Sequence, residues 1–475
     1  MRGPLEPLAP RMEQPRTSHP RPLMTQRKLT RSPGVSRRRF LATAARGWAA
    51  LCAAPWIIPA TALGRGGLRP PSARIQMGFI GLGGQGMGHL LGGAWTYVPG
   101  GYVARADVQV LAVCDVRRDR REHARQRCLQ VYAEKLGQPN YRGVEAYADF
   151  RELLARPDID AVLLALPYHW AAPMSVLAMR AGKDVYCEKP VAITIREGGL
   201  VLDTARQWGA VYQAGTQQRC EYSGRFRLAC ELVRNGRIGT LREVFAYRLP
   251  GAFWPQPWTT TEQQPVPEGF DWDLWLGPLP WRPYAGEPGH ALPGCFVGDV
   301  NWSPHHYDIV LWGTGLTAEA TVEIEFVPPT GPGRQPAVRY HLPGGVVVHS
   351  DLHPGEPVGQ EGGVCFVGTA GRIAVDRSQI VADPPDLLRT PLRPGETRLH
   401  SASSHSGNFL DCIRTRRAPV CNPVVAVQTM DFILAGGIAL ALQRSLRWNG
   451  SQRRFEGDAE ANRFLSYVPR PPWGL

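Results

Sequence analysis

The stretch Gly78-Phe79-Ile80-Gly81-Leu82-Gly83-Gly84-Gln85-Gly86 joins a short apolar run to a cluster of glycines. Its last six residues form the pattern G-x-G-x-x-G. In this pattern the first glycine permits a tight turn, the second lets the backbone approach a pyrophosphate, and the third lets a helix pack closely on a strand. The amino terminus of that helix presents free N–H groups to phosphates. We therefore predict a dinucleotide-binding loop, with contacts from Gly81, Gly83, Gly84, Gln85 and Gly86. A glycine loop of purely structural use is the alternative.

A carboxylate stands where this kind of loop needs one. Asp115 follows the apolar run Val108–Cys114, from which it can hydrogen-bond both hydroxyls of an adenosine ribose. It lies further from the glycines than the usual ~20 residues, and we assign the excess to a surface insertion at 92–106. Because a carboxylate repels a 2′-phosphate, NAD is favoured over NADP as cofactor. The adjacent Arg117 and Arg118 weaken that preference.

The residues around the loop predict an α/β domain. Short, uniformly apolar runs at 108–114, 161–166 and 184–187 alternate with helical patterns at 119–136, 173–180 and 195–208. Strands that are apolar throughout and separated by helices are typical of a parallel sheet buried on both faces. We predict that this domain extends over residues 74–217.

The pattern changes after Gln217. Strands with alternating apolar and polar residues are predicted at 241–249, 320–327, 338–342, 346–350, 364–368 and 373–375, and helices at 227–235, 407–414 and 424–442. Alternation with hairpin glycines indicates an α+β domain with a large, open, mostly antiparallel sheet, here residues 218–475. An uncovered apolar sheet face is costly, so we expect a homo-oligomer, a dimer or a tetramer, formed through that face.

The first 62 residues have the character of a targeting leader. Ser36-Arg37-Arg38-Arg39-Phe40-Leu41 resembles a twin-arginine export signal, residues 41–59 are mildly apolar, and Ala60-Thr61-Ala62 resembles a cleavage site before a linker at 63–73. A transmembrane anchor and a disordered basic tail are the alternatives. We expect a periplasmic or extracytoplasmic protein with no membrane contact beyond export. Most of the formal charge of +13 lies in this leader, so the rest lacks the basic stripe of a nucleic-acid-binding protein.

A lysine follows the predicted strand at 184–187. In an open parallel sheet the carboxyl ends of the strands face the ligand crevice, so Glu188-Lys189-Pro190 would lie there. Lys189 could donate to a substrate oxygen and stabilise alkoxide character. The alternative is a turn at the strand end that carries a surface ion pair.

A second candidate catalytic stretch runs from Asn301 to Asp308. On a helix that begins near Pro304, His305 and Asp308 are three residues apart and share a face. His305 could take an alcohol proton, and Asp308 could orient it or hold a second hydroxyl. Helix capping is the alternative reading. No metal site is predicted, because adjacent histidines on a helix diverge and no third ligand is near.

Taken together, these sites resemble the Gfo/Idh/MocA family of glucose–fructose oxidoreductases and inositol dehydrogenases. The resemblance runs from about Ile75 to the carboxyl terminus. Two further stretches, 270–278 (Phe-Asp-Trp-Asp-Leu-Trp-Leu-Gly-Pro) and 408–413 (Asn-Phe-Leu-Asp-Cys-Ile), are similar to a twin-arginine-exported branch of that family. The resemblance implies a Rossmann domain followed by an open-sheet domain.

Site residues carried over from the family are matched by position. Lys189 would relay a proton, His305 would be the acid/base and Asp308 would position substrate. Pro167 and His169 match the loop along the nicotinamide, and Glu188, Lys189 and Gln217 match cofactor contacts. Substrate contacts are matched by Lys189, Arg219, Asn301, His305 and Asp308. The chain departs from the family at Asn301, where an aspartate is usual and for which Asp299 could substitute. It also departs at Phe296-Val297-Gly298, where glycines are usual, and at Tyr168, where an acidic residue is commoner.

The function implied is hydride transfer between a nicotinamide cofactor and a hydroxyl or carbonyl of a sugar, cyclitol or related polyol. An exported enzyme has no pool of free nucleotide, so the cofactor would be held tightly. Two alternatives remain. The first is an NAD-dependent, redox-neutral glycoside hydrolase, which oxidises a hydroxyl to a ketone, eliminates the glycosidic bond and reduces the ketone again. The second is a non-catalytic, nucleotide-bound sugar-binding protein. The aromatic-rich stretch 252–284 is expected to line the sugar site.

Overall fold

In the computed structural model, the first strand of the first sheet leads directly into the glycine-rich loop. Residues 70, 73–246, 262–286, 300–329, 331, 335–350 and 362–474 are described. The predicted leader, most of the linker, residues 252–261, Asp299 and Phe296-Val297-Gly298 lie outside these ranges.

Within the described residues, six strands form a parallel sheet in the order β3-β2-β1-β4-β5-β6. They are β1 Ile75–Ile80, β2 Val108–Cys114, β3 Glu145–Tyr147, β4 Ala161–Leu164, β5 Asp184–Cys187 and β6 Tyr212–Ala214. The helices that flank this sheet are α1 Gly84–Leu91, α2 Gly101–Ala104, α3 Arg118–Leu136, α4 Phe150–Leu154, α5 Tyr168–Arg180 and α6 Ile195–Trp208. This is the strand order of a Rossmann fold, with its reversal between β1 and β4, and the predicted parallel sheet is confirmed.

The register of the first sheet brings four strand ends to one edge. Ile80 pairs with Cys114 on one side and with Leu164 on the other, and Leu164 in turn pairs with Cys187. The residues that follow these strand ends therefore emerge side by side. Ligands of such sheets bind at this edge, at the point where the strand order reverses.

The stretch 92–106, which the sequence suggested is a surface insertion, lies partly on the surface, with 92–95 and 99–100 exposed. It also contributes to the core. Tyr102 is fully buried in α2, where it packs edge-on against Phe79 of β1 with ring centroids 5.8 Å apart. Val98 and Val103 are buried as well.

Nine further strands among the described residues form the second sheet, in the order β13-β12-β11-β7-β10-β9-β8-β14-β15. They are β7 Leu241–Ala246, β8 Thr321–Val327, β9 Ala337–His341, β10 Val347–His349, β11 Gly363–Gly368, β12 Arg372–Asp376, β13 Ile380–Asp383, β14 Leu446–Asn449 and β15 Arg454–Phe455. The helices of this part of the chain are α7 Arg225–Arg234, α8 Trp272–Leu276, α9 Ser303–Thr314, α10 Asp386–Arg389, α11 His405–Thr415 and α12 Pro423–Leu442. Among the described strands of this second sheet, β7 and β10 are the only pair that runs parallel, so the mostly antiparallel sheet that we predicted is confirmed.

One face of the second sheet is covered by α7, α9 and α12, and Tyr340 of β9 stacks on Phe432 of α12 at 4.0 Å. The opposite face is charged at the β8–β9–β14 end, where His341 lies 2.9 Å from Glu325 and Arg447 lies 2.8 Å from Glu323. At the other end of the same sheet, Phe245, Cys365 and Ala374 form a small buried apolar cluster. The open face is therefore charged at one end and apolar at the other, and the oligomer remains a prediction.

Helix α12 is long and apolar enough to cross a membrane by length and composition alone. In the structure, however, 78% of its most apolar window is buried inside the protein. The helix contacts β8 and β9 of the second sheet and also α6 of the first domain. Its apolar character therefore fits a core position.

Helix α11 belongs by sequence to the second domain but packs into the first. Phe409, Leu410 and Cys412 join the core cluster that contains Phe79 and Tyr102. In addition, the side chain of Gln213 in β6 donates to the carbonyl of His405 at 2.8 Å. The core of the first domain is thus completed by residues far beyond Gln217.

Candidate active site

A cavity of about 590 Å³ lies at the edge where β1, β2, β4 and β5 end. Predicted site residues that line it are Gly81, Gly83, Gly84, Gln85, Asp115, Pro167, His169, Glu188, Lys189, Gln217, Asn301 and His305. Three others, Gly86, Arg219 and Asp308, are not among its lining residues. The structure therefore brings candidate residues from both domains into one space.

The glycine loop is shaped by close backbone contacts. Gly81 has φ +89°, and a Cβ there would lie 2.3 Å from the carbonyl oxygen of Ala165; at Gly86 it would lie 1.9 Å from the oxygen of Gly81. At Gly83, by contrast, the nearest atom would be 3.6 Å away, and at Gly84 nothing lies within 4 Å. Packing thus accounts for Gly81 and Gly86. Gly83 leaves the backbone exposed for close approach of a pyrophosphate, so the loop fits a dinucleotide.

Asp115 sits directly beside the loop and is buried. Its Oδ2 accepts from the N–H of Leu82 at 2.7 Å, and its Oδ1 accepts from the N–H of Arg117 at 2.9 Å. Burial raises the pKa of Asp115, against the lowering effect of those two N–H groups. A carboxylate oxygen can accept more than one hydrogen bond, so a ribose hydroxyl can still be bound here.

The arginines next to Asp115 have partners of their own. Arg117 pairs with Asp119 at 3.0 Å, and Arg118 pairs with the exposed Glu268 at 3.1 Å. Arg120, which the sequence reasoning did not single out, is the arginine of this turn that lines the cavity. It lies in the first turn of α3, and no sequence motif marked it as a residue of the site.

His169 is held as a neutral ring at the start of α5. Its Nε2 donates to the carbonyl of Trp275 at 2.9 Å, and its ring lies 5.0 Å from the Trp275 ring. Burial lowers the pKa of His169 to about 4, although the bond to Trp275 raises it. A neutral, fixed imidazole suits a wall of a cofactor site.

Glu188 is the centre of a buried hydrogen-bond network beneath Lys189. His89 of α1 donates to its Oε1 at 2.7 Å, and Gln217 donates to the same oxygen at 2.9 Å. Burial raises the pKa of Glu188, but the bond from His89 and nearby cationic groups lower it more, so it lies below its ordinary value. His89 links the helix of the glycine loop to the strand that carries Lys189, a long-range contact that local sequence could not reveal.

The ammonium of Lys189 points into the cavity toward the second domain. Its Nζ donates to Oδ1 of Asn301 at 2.7 Å, and the hydroxyl of Tyr168 lies 3.5 Å from the same oxygen. Two positions at which the chain departs from the family pattern thus meet at this lysine. An amide oxygen orients the ammonium without adding a negative charge.

His305 lies in the first turn of α9 and is 4% exposed. Its Nδ1 is buried and has no hydrogen-bond partner among the described residues, which leaves Nε2 as the nitrogen able to meet a ligand. Burial, together with the charges of Arg377 and Lys189, holds the pKa of His305 well below its ordinary value. The ring is therefore neutral and able to accept a proton.

Arg219 and Asp308 bind each other behind the cavity. The guanidinium donates to both carboxylate oxygens, at 2.7 and 2.8 Å, and it lies 4.6 Å from the centre of the Trp312 ring. Asp308 therefore orients Arg219, whereas the sequence had suggested His305 or a substrate hydroxyl as its partner. His305 and Asp308 lie on the same helix as predicted, but the buried Asp308 carboxylate pairs with the guanidinium of Arg219.

The sequence also gave no signal for Arg377, which lines the cavity from the turn after β12. Its guanidinium carbon lies 4.8 Å from the ring centre of Trp302 and 5.3 Å from that of Trp95. The aromatic residues that line the described cavity are these two together with Phe150, Tyr168, Trp170 and Trp275. Only Trp275 comes from the stretch 252–284 that was expected to line the sugar site.

The strand order, the glycine loop and Asp115 define a Rossmann-type dinucleotide-binding domain, which is joined here to a second domain built on a large open sheet. Residues 75–216 match the model of the GFO_IDH_MocA oxidoreductase family, described as an NAD-binding Rossmann fold. The match covers the first domain and supports the family resemblance seen in the sequence.

Curated relatives match over a similar length. The chain is 29% identical over 181 residues to an alpha-N-acetylgalactosaminidase of Shewanella oneidensis, and 28% identical over 181 residues to a glycosyl hydrolase family 109 protein of Shewanella putrefaciens. Each alignment covers 37% of this chain and 35% of the relative, so the chain spans about a third of the length of the relatives it matches.

Solved structures match both domains at low identity. The aldose–aldose oxidoreductase of Caulobacter crescentus has a TM-score of 0.51 at 19% identity, covering 78% of this chain and 99% of that one. A levoglucosan dehydrogenase in complex with NADH has a TM-score of 0.52 at 16% identity, covering 78% and 98%. These likenesses establish the two-domain fold.

Proposed function

We propose that the protein is an NAD-dependent oxidoreductase that acts on a hydroxyl or carbonyl of a sugar, cyclitol or related polyol. The observation that carries the proposal is the single cavity in which the glycine loop and Asp115 face Lys189 and His305. A bound nicotinamide cofactor supplies a hydride acceptor or donor at such a site. The protein itself has to bind the dinucleotide, orient the polyol and move one proton.

Lys189 and His305 divide the proton chemistry. The ammonium of Lys189, oriented by Asn301 at 2.7 Å, donates a hydrogen bond to the reacting oxygen and stabilises alkoxide character. Burial keeps His305 neutral in the free protein, and its Nε2 accepts the alcohol proton during turnover. The aromatic rings of Trp302 and Tyr168 supply faces against which a sugar ring can pack.

Cofactor choice follows from the charges beside the ribose site. Asp115 supports NAD, since its carboxylate repels a 2′-phosphate, while Arg120 adds a cation on the same side of the cavity. The twin-arginine-like leader supports export, and export supports a tightly held cofactor. We also propose that the protein forms a homo-oligomer in which the open face of the second sheet packs against another subunit.

The second candidate is an NAD-dependent, redox-neutral glycoside hydrolase. It is favoured by one observation, the similarity of the chain to glycosyl hydrolase family 109 proteins. This reading retains the same roles for Lys189 and His305. It adds elimination of the glycosidic oxygen from the position β to the new ketone, addition of water, and return of the hydride to the ketone.

The first experiment is to denature the purified full-length protein and assay the released nucleotide. Stoichiometric NAD(H) supports the proposal, and release of NADP(H) alone would contradict the assigned cofactor. The loaded protein is then mixed with a panel of free sugars, polyols and aryl glycosides. NADH formation with a free polyol supports the oxidoreductase, and release of the aglycone without net NADH supports the hydrolase. Bound nucleotide with neither reaction would leave a non-catalytic sugar-binding protein.

A further inference from the structure

Residues 267–279, which contain the stretch Phe270 to Pro278, form a strap that connects the loop after β2 with the start of α5, the helix after β4. In the sheet order, β2 and β4 flank β1 with its glycine loop. Leu274 and Trp275 of the strap line the cavity. The strap therefore closes part of the same space that the glycine loop opens into.

The first end of the strap is fixed to the loop after Asp115. The N–H of Arg118 donates to the carbonyl of Gly269 at 2.8 Å, and the N–H of Asp271 donates to the carbonyl of Val116 at 3.1 Å. The guanidinium of Arg117 lies 5.5 Å from the centre of the Phe270 ring. Backbone bonds in both directions make this a short ladder between strap and loop.

The second end is fixed to the start of α5. His169 donates to the carbonyl of Trp275 at 2.9 Å, and the indole N–H of Trp170 lies 3.0 Å from the carbonyls of both Leu274 and Trp275. Gly277 has φ +50°, and a Cβ on it would lie 2.2 Å from the Trp170 ring. The strap thus touches this helix with its backbone, which requires glycine.

The strap also has its own buried core and an outer latch. Phe270, Trp272 and Leu276 pack with Tyr284 in a separate apolar cluster. From outside, Arg470 donates to the carbonyl of Gly277 at 3.1 Å and to the carbonyl of Asp273 at 3.0 Å, and it forms an ion pair with the Asp273 carboxylate. Arg470 is not among the residues that line the cavity.

We propose that the strap is the gate that retains the dinucleotide. This inference rests on the proposed function and extends it to cofactor exchange. A ligand whose phosphates lie at the glycine loop is enclosed between that loop and Leu274 and Trp275. Its exit requires the strap to detach from the β2 loop or from α5. Because the anchors at both ends and the Arg470 latch hold it, exchange is slow compared with turnover, and the cofactor is recycled on the protein.

The test is the exchange rate of NADH in the full-length protein. NADH is bound, its fluorescence is followed, and excess NAD⁺ is added to measure dissociation; association is measured by stopped flow. Arg470→Gln removes the latch without touching the cavity. Since hydrogen bonds to a charged group contribute ~1.5–3 kcal/mol, we expect dissociation to accelerate by about tenfold or more. Association should accelerate by a similar factor, because a gate obstructs both directions.

Two further variants make the result specific. Gly277→Ala, which forces the strap away from Trp170, should change both rates in the same direction. Arg444→Gln removes a comparable ion pair with Asp458 and Glu460 and should change neither rate. Thermal unfolding shows whether each variant is folded.

Each outcome bears on a separate claim. If the wild type binds NADH and both strap variants exchange it at the wild-type rate, the gate is refuted while the proposed function stands. Acceleration of dissociation without acceleration of association would also refute the gate, because it would show only that a contact that holds NADH had been lost. If the folded wild type binds no NADH, the proposed function and the gate both fail.

Discussion

The ammonium nitrogen of Lys189 lies 2.7 Å from the amide oxygen of Asn301, across the junction between the two domains. A carboxylate at this distance would stabilise the protonated ammonium, whereas an amide orients it with little change in charge. The contact therefore fixes the direction of the lysine and leaves its proton available for transfer.

Replacing Asn301 with aspartate tests this relationship. Asn301→Asp should shift the alkaline limb of the kcat/KM profile to higher pH by about one unit, because a neighbouring carboxylate favours the charged form of Lys189. The neutral variant Asn301→Ser should lose activity without that shift. Superimposable pH profiles for Asn301→Asp and wild type would show that the two groups do not interact during turnover.

Removing the ammonium tests its chemical role. Lys189→Met retains most of the length of the side chain and should lower kcat by ~10²–10⁴-fold, the usual contribution of a positioned proton donor. NADH affinity should stay within about twofold, since the glycine loop and Asp115 are unchanged. A large loss of NADH binding with an unchanged kcat would assign Lys189 to the cofactor instead.

The glycine loop offers three matched alanine variants. Gly86→Ala should lower the free energy of unfolding by ~1–3 kcal/mol, because its Cβ would lie 1.9 Å from the oxygen of Gly81. Gly84→Ala should have little effect, as nothing lies within 4 Å of that position. Gly83→Ala should fold normally but bind NADH more weakly, since a methyl group would meet the pyrophosphate. Urea unfolding and NADH titration separate the three effects.

The pair of Arg219 and Asp308 should behave as a structural unit. Arg219→Met leaves a buried carboxylate without its cation, and we expect a loss of ~3–5 kcal/mol in the free energy of unfolding. The double variant Arg219→Met/Asp308→Leu should recover most of that loss and retain the wild-type KM for the polyol. A folded double variant with a KM raised more than tenfold would return Asp308 to the substrate site.

Acid should destabilise the protein through His405. Its Nε2 donates to the carbonyl of Ala214 at 2.8 Å, and burial lowers its pKa from 6.5 to about 4 although that bond raises it. The unfolded chain therefore binds the proton first, so this contribution to stability is present above pH 6.5 and is lost as the pH falls toward 4.

The expected size is about 1.4 kcal/mol per pH unit, measured as the difference in urea unfolding between wild type and His405→Gln. Glutamine can keep the bond to Ala214 but cannot titrate. A difference between wild type and His405→Gln that is constant from pH 7 to 4.5 would contradict the assignment.

Local patterns predicted the elements that carry strong local signals. Helix α6 was predicted with its exact bounds, because its apolar spacing begins at a capping box in which Thr194 and Glu197 bond each other's backbone. Short strands such as β3 and β15 were missed, since two or three residues show no periodicity. Helix α5 was predicted to begin at Pro173, but it begins at Tyr168 and carries the proline inside.

The residues of the candidate site likewise divide into those that local motifs predicted and those that tertiary contacts bring to the site. The glycine loop, Asp115, Lys189 and His305 each stand in a recognisable local motif, and the structure brings them to one cavity. Arg377 reaches the cavity, and His89 reaches Glu188, through tertiary contacts between segments distant in sequence, which no local pattern encodes. Asp308 illustrates the limit most clearly, because the helix face was predicted correctly while its partner, Arg219, comes from another element.

The position of α11 in the core of the first domain has a consequence for biosynthesis. Phe409 packs edge-on against Tyr186 of β5, with ring centroids 5.7 Å apart. A ribosome that has just released β6 has therefore produced a nucleotide-binding domain with part of its apolar interior still uncovered. That surface stays exposed while strands β7 to β13 of the second sheet are translated. The nascent chain needs protection through this interval, and only the arrival of residues 405–415 ends it.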